Sequence, residues 1–311
     1  MRHRLYPLLL GAGLAASSQP AKAQAVSPAA DATGIHQGRF IGVMAGTVVV
    51  YALTSYLLGK TWYTKRVPFH TFNDNGEWLQ MDKIGHATTA YAISRGEYEM
   101  FRWSGVNERA SVLTGGLIAL LYQTTIEVFD GHSEGWGFSK GDMVANLSGV
   151  ALFAGQQYGF GEQKVGLRYG WRQSIFPPYR PELLGRSIRS QMLKDYNGQQ
   201  YWLSINVASV LPVGPSFPHW LNLDVGYSGS GMTGGHANPP YFSPDGKEVK
   251  FTRYRQFYLS PDINISRLPG LNGSGAQALV SAGQFFKIPA PSLEFNRLDG
   301  VRFHPFLLPQ D

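Results

Sequence analysis

Apolar positions recur at helical spacing through the first half of the chain and at every second residue through the last third. Residues 40–58 (FIGVMAGTVVVYALTSYLL) carry no charge, and Lys60, Lys65 and Arg66 follow them. At the helical rise this stretch reaches about 28 Å, near the thickness of a bilayer's hydrocarbon. Its glycines, Thr47 and Ser55 suit a closely packed core helix equally well. Transmembrane and buried-core readings therefore both stand.

Three more helical segments follow. Residues 69–78 form a loop with turn chemistry at 73–76, and Asp82 supplies a first-turn acid for a helix over about 83–103. Glu97, Glu99 and Arg102 predict a wet far end for that helix. Residues 108–129 are apolar through their middle until Gln123, with Glu127 one turn later on the same face. Ser139 predicts an N-cap, with Asp142 at its third position, for a fourth helix to about residue 158.

Beyond 159 the texture changes. Residues 176–179 (FPPY) break any helix, and 183–196 read as a short basic amphipathic one. From 201 onward the period becomes two: Tyr201, Leu203, Ile205 and Val207, then Leu221, Leu223, Val225 and Tyr227. Phe257, Leu259, Ile263 and Ile265 continue it, with another short strand at 301–303. The expected fold class is α+β, a bundle of about four helices followed by a small antiparallel, strand-rich tail. Four to six such strands are too few to close a membrane barrel, which takes about eight or more.

The chemistry lies in the apolar helices. Asp82 and His86 are four residues apart, as are Asp142 and Asn146, so each pair can reach one point from one helix. With Lys83, Glu127 and Asp130 they form a candidate polar network, with His86, Glu127 and Asp142 as the candidate catalytic groups. One imidazole with several carboxylates can hold a metal or run acid–base chemistry. A simpler account covers part of the set. Asp82 and Asp142 stand at helix starts, where an acid gains about 0.3–1 kcal/mol, and Asp130 ends a helix. Glu127 resists that account, because it sits at the end of its helix where the dipole disfavours an anion. It needs a partner, and Lys83, His86 and Asn146 are the candidates.

Composition narrows the class. Only 15% of residues are charged while 43% are hydrophobic, which suits an envelope or membrane protein better than a cytosolic enzyme. The net charge of +6 comes without a basic run or RNA-binding motif, so nucleic acid is not an expected partner. With no cysteine, disulfides, thiol chemistry and lipidation of an N-terminal cysteine are excluded for this sequence. Residues 1–23 have a secretory signal's form: Arg2 and Arg4, a short apolar stretch, then Ala21-Lys22-Ala23. The glycine-rich 226–235 lacks a following helix and lysine, so it predicts a hairpin tip rather than a phosphate loop. Ser228 and Ser230 lack the setting of a nucleophile, and His132, His219, His236 and His304 are expected in solvent.

The motifs DKxGHxxxxY (Asp82 to Tyr91), ExxDG (Glu127 to Gly131) and SxGDxxAN (Ser139 to Asn146) resemble the uncharacterised YfiM-type predicted periplasmic lipoproteins. Residues 195–204 and 220–222 are similar to the longer members, which add a strand-rich C-terminus. The helical part is also distantly similar to VanZ-like membrane proteins. The resemblance implies a helical bundle, an envelope location and a concerted role for the motif positions, but no settled activity. The missing cysteine departs from the lipoprotein label and leaves membrane attachment to the helices.

The expected organisation is a signal (1–23), a lead-in (24–39), the bundle (40–158), a connector (159–200) and the strand-rich region (201–311). The expected role is that of an exported envelope protein with a structural or interaction function, its partners membrane lipids or envelope components. The alternatives are a membrane-associated enzyme acting on a lipid-linked or cell-wall substrate, and a small channel element. Substrate, cofactor, metal and oligomeric state are not legible.

Overall fold

The computed structural model describes residues 34–61, 63, 65–243, 245–268, 280 and 282–306, so the signal segment and most of the lead-in lie outside the described residues. Four long helices come first: α1 (Gln37–Thr61), α2 (Met81–Trp103), α3 (Glu108–Gly131) and α4 (Lys140–Phe160). Side chains set their ends. Asn107 accepts a hydrogen bond from the Ala110 amide to start α3, and Ser139 accepts one from the Asp142 amide to start α4. Gly161, left-handed at φ 69°, stops α4.

Helix α2 is the hub and packs closely on both α3 and α4. A Cβ at Gly149 of α4 would stand 2.1 Å from the Ala87 carbonyl oxygen of α2, and one at Gly115 of α3 would stand 2.4 Å from that of Ser94. Only glycine lets these backbones approach so far, and that proximity brings short side chains on three helices within reach of one another. Helix α1 lies along α2 and α3, held by Phe40 on Phe101, Thr47 donating to the Glu97 carboxylate, and Tyr51 bonded to Thr125. Glu97, expected at a wet helix end, is thus buried and partnered from α1. Within this chain most apolar residues of α1 are bare, among them Val48, Val49, Leu53 and Leu57.

The sheet begins at β1 (Val165–Trp171), inside the stretch read from sequence as a connector. Short helices α5 (Pro181–Leu184) and α6 (Ile188–Lys194) replace the single amphipathic helix expected there. Then come β2 (Gln199–Asn206), α7 (Val207–Val210), β3 (Leu221–Ser230), the β4 (Tyr241–Phe242) and β5 (Glu248–Val249) pair, β6 (Tyr254–Ile263), β7 (Ser292–Asn296) and β8 (Gly300–His304). The main sheet is antiparallel and six-stranded in the order β1-β2-β3-β6-β7-β8.

Its alternation has an inverted sense. Tyr169, Tyr201, Tyr227, Phe257, Phe295 and Val301 stand side by side across all six strands, and Leu167, Leu203, Val225, Leu259, Leu293 and Phe303 form the next row. The bundle and the turn before α2 cover this apolar face at β1, β2 and Tyr227 of β3: Tyr201 and Tyr227 pack in the cluster of Trp78 and Met81, and Leu167 meets Tyr91 and Phe153. From β3 to β8 the face is largely exposed. The opposite face is polar and buried, because the sheet curls on itself. Arg168 Nη1 of β1 lies 2.7 Å from Asp262 Oδ2 of β6, although three strand steps in a flat sheet span about 14 Å. His304 belongs to this interior, its Nε2 2.7 Å from Glu294 Oε2, which corrects the expectation that it is solvated. His236 keeps a mostly exposed ring beside Glu77.

One interior acid gives the sheet a pH dependence. Burial, then the hydrogen bond and charge of Asp262 beside it, push Asp224 up to about 7. In the unfolded chain an aspartate titrates near 4, so the folded state holds an extra proton between those limits. Stability is therefore full at low pH and falls as pH rises from about 4 to about 7, by at most about 1.4 kcal/mol per unit. Denaturation midpoints at pH 5 and pH 8 should differ in that sense. Asp224→Asn should flatten the difference, and an unchanged slope in the variant would assign it elsewhere.

Candidate functional site

The polar residues of the bundle meet at one end of it, where α2 and α4 start and α3 finishes. The approach to α2 is unusual. Trp78, Leu79 and Gln80 all have positive φ, at 46°, 53° and 64°, a conformation that costs non-glycine residues about 1–2 kcal/mol each. The sheet region holds this turn in place. The Trp78 amide donates to the Gly235 carbonyl at 2.9 Å, the Tyr227 hydroxyl donates to the Leu79 carbonyl, and Arg255 donates to Gln80 Oε1. The turn fixes where Asp82, Lys83 and His86 emerge on the first turns of α2.

Lys83 is enclosed by acids. Its Nζ lies 2.5 Å from Asp74 Oδ1, 2.7 Å from Asp142 Oδ1 and 3.5 Å from Asp82 Oδ2. Ser139 Oγ donates to Asp74 Oδ1 at 2.6 Å, tying the 69–78 loop to the start of α4. Burial alone would raise Asp74, but hydrogen bonds from Lys83 and Ser139 outweigh it and hold the carboxyl below its ordinary range.

Glu127 meets one of its three candidate partners, His86, and a backbone donor that was not among them. Its Oε2 accepts the Ser139 backbone N–H at 3.0 Å, and its Oε1 lies 3.6 Å from His86 Nε2. The first contact overturns a detail of the sequence reading. The N-cap amide of α4 is satisfied from α3 by Glu127, rather than reciprocally by Asp142 as a capping box would have it. The positive end of the α4 dipole thereby offsets the negative end of α3. Asp142, freed from that duty, turns to Lys83.

His86 completes the centre. Its Nδ1 is 3.1 Å from Asn146 Oδ1, which accepts from Gln123 Nε2 at 2.8 Å. Nε2 faces Glu127 and, at 3.8 Å, Asp82 Oδ1. The Tyr196 hydroxyl, arriving just after α6, donates to the same Asp82 oxygen. Asp130 lies to one side and accepts from the Tyr63 hydroxyl. The structure thus gathers Asp82, Lys83, His86, Glu127, Asp142 and Asn146, with Asp130 at the margin.

Asp74, Gln123, Ser139 and Tyr196 join a site that sequence reasoning had not given them. Gln123 carried a signal, standing one turn before Glu127 on its face. Asp74 looked like ordinary turn chemistry, and nothing local marked Tyr196. The centre is partly exposed at its edge, at Asp74 and Lys83 as well as at Asp82 and His86. The Asp82 and His86 side chains are 25% and 13% exposed, against 1% for Glu127. A buried imidazole facing several carboxylates can bind a cation or pass a proton, and here both are within reach of that edge.

Fold and centre define a class: an α+β protein in which a helical bundle with a His–carboxylate centre carries a curled antiparallel sheet. Residues 71–155, from the loop before α2 to the last turns of α4, match the family described as "Predicted periplasmic lipoprotein (DUF2279)". That description agrees with a cell-envelope, periplasmic location, and every centre residue named above except Tyr63 and Tyr196 lies inside the matched stretch. No curated protein and no solved structure matches the chain.

Proposed function

We propose that this is a membrane-seated envelope protein whose His–carboxylate centre locks the bundle. In this reading residues 40–158 form the membrane part. Residues 201–311, with β1 from the 159–200 stretch, form an interaction platform beside it. The observation that carries the reading is α1: residues 37–60 have a mean hydropathy of 1.8, and only 6% of the most apolar stretch is buried. Helix α3 is similar at 1.4, and its outward face bears Leu113, Leu117 and Leu121. Val144 and Leu147 of α4 add to that surface. So much bare aliphatic area is costly in water and ordinary in lipid. Lys60 in the last turn of α1 with Lys65 and Arg66 just beyond it, and Arg39 stacked on Trp103 at the other end, suit the two interfaces. The partners that fit are membrane lipids, with envelope components on the bare sheet face.

The absence of native cysteine makes the test clean. Single cysteines at Val49 and at Lys65 should behave differently in intact membranes toward a water-soluble maleimide. Val49→Cys should resist labelling until detergent is added, while Lys65→Cys should label readily from its own side. Rapid labelling of both, with release of the protein by alkaline carbonate, would remove the membrane reading.

A second reading, an enzyme on a lipid-linked or cell-wall substrate, is favoured by one observation. His86 Nε2 and Glu127 Oε1 are 3.6 Å apart, with the partly exposed Asp82 beside the imidazole, close enough for the two to share a proton with a group that reaches them.

A further inference from the structure

We propose that Asp82, His86 and Asp142, with Glu127 facing the same imidazole nitrogen, form a binding site for one divalent transition-metal ion, of the Zn²⁺ or Mn²⁺ kind. The inference deepens the bundle centre described above and does not depend on the membrane seat.

Charge is the first observation. Four carboxylates (Asp74, Asp82, Glu127, Asp142) surround two basic groups, Lys83 and His86, in a mostly buried space. Lys83 is already engaged by Asp74 and Asp142 on one side of the cluster. The side around His86 Nε2 therefore sets two carboxylates, Asp82 and Glu127, against one imidazole, an arrangement that a bound cation would stabilise.

Geometry is the second. Ligand atoms of Asp82, His86 and Asp142 all lie within 4.8 Å of one another. His86 Nε2 is 3.6 Å from Glu127 Oε1 and 3.8 Å from Asp82 Oδ1. Those separations are too long for hydrogen bonds. They are close to the spacing of two atoms that share an ion at about 2.1 Å each, which is about 3.4 Å for tetrahedral ligands.

The third observation points to a ligand independently of the acids' number. Glu127 Oε1 has no hydrogen-bond partner, although the side chain is 1% exposed, and it faces His86 Nε2. A buried carboxylate oxygen left in this state calls for a cation. Asn146, on the far ring nitrogen, plays the part expected of a group that orients a metal-bound histidine. A nitrogen with several carboxylate oxygens suits Zn²⁺ or Mn²⁺ better than a softer ion.

The test is calorimetric titration of the full-length chain in detergent, after removal of metals by a chelator, with Zn²⁺ and separately with Mn²⁺. One of the two should bind at one ion per chain and raise the thermal midpoint. His86→Ala and Glu127→Gln should abolish that binding, and Asn146→Ala should weaken it by about 10–100-fold. Asp224→Asn, in the sheet interior, should leave it unchanged. If Glu127→Gln does not fold, Asp82→Asn at the open edge takes its place and should also lose the ion. No saturable binding by the wild-type chain overturns the site, as does binding that survives both His86→Ala and the carboxylate variant. A chain that labels as membrane-seated yet binds neither metal would sink the metal site alone.

Discussion

Lys83→Met is expected to destabilise the bundle by about 3–5 kcal/mol, the range for removing one partner from a buried ionic cluster. The physical reason is crowding of like charge. Lys83 Nζ stands within 3.5 Å of Asp74, Asp82 and Asp142 together, and its own side chain is only 14% exposed. Methionine matches the stem but leaves three acids facing one another with His86 as the remaining cationic group beside them. Relieving one of the acids should relieve part of the penalty. The double variant Lys83→Met/Asp142→Asn should recover about 1–3 kcal/mol relative to simple addition of the two single changes. Denaturant unfolding of the four proteins in one detergent measures this. A loss below about 1 kcal/mol in the single variant would show that solvent already screens the lysine.

Glu127 should separate two roles by the choice of replacement. Glu127→Ala removes the acceptor for the Ser139 amide and opens a cavity between α3 and α4, for an expected loss of about 3 kcal/mol. Glu127→Gln keeps a carbonyl oxygen at the cap and removes only the charge, so its loss should be less than about 1 kcal/mol. Equal damage from both would mean that the charge opposite His86, rather than the cap on α4, secures the helix junction. The comparison also bears on the metal site, because the glutamine variant should fold while losing the ion.

Much of the centre was legible because helical spacing is local. The Asp82–His86 and Asp142–Asn146 intervals, and the misfit of Glu127 at the end of an apolar helix, could all be read from a few neighbouring residues. The helix boundaries at Ser139 and near Asp130 came from the same short-range chemistry. Less could be said of Asp74 and Tyr196. Their partners lie 65 and 114 residues away in sequence, and a turn aspartate or a lone tyrosine carries no mark of such a contact. The three left-handed residues before α2 were also invisible, since none is a glycine and the sheet region supplies the bonds that hold them.

The sheet shows a different limit. Its two-residue period was plain from Tyr201 onward, yet periodicity names two columns without saying which one faces inward. Asp224, Gln256, Ser260 and Glu294 turned out to be the buried set, and Phe257, Leu259 and Phe295 the bare one. Curling decided that outcome, by bringing Arg168 to Asp262 and enclosing His304 beside Glu294. β1 was passed over for a related reason: two glycines and an arginine make a weak strand signal until β2 pairs with it along its whole length.

By itself, then, the sequence determined four helices, a strand-rich end and a set of misplaced charges on three of the helices. Those follow from propensity, capping and the cost of burying an ion, which act over a turn or two of chain. Only the tertiary structure decided that the charges share one centre and that Glu127 serves the start of α4. It also decided that α1 lies bare, and that the sheet keeps its polar face inside. Each of these depends on which surfaces the close approach of α2 to its neighbours, and the curl of the sheet, removed from water.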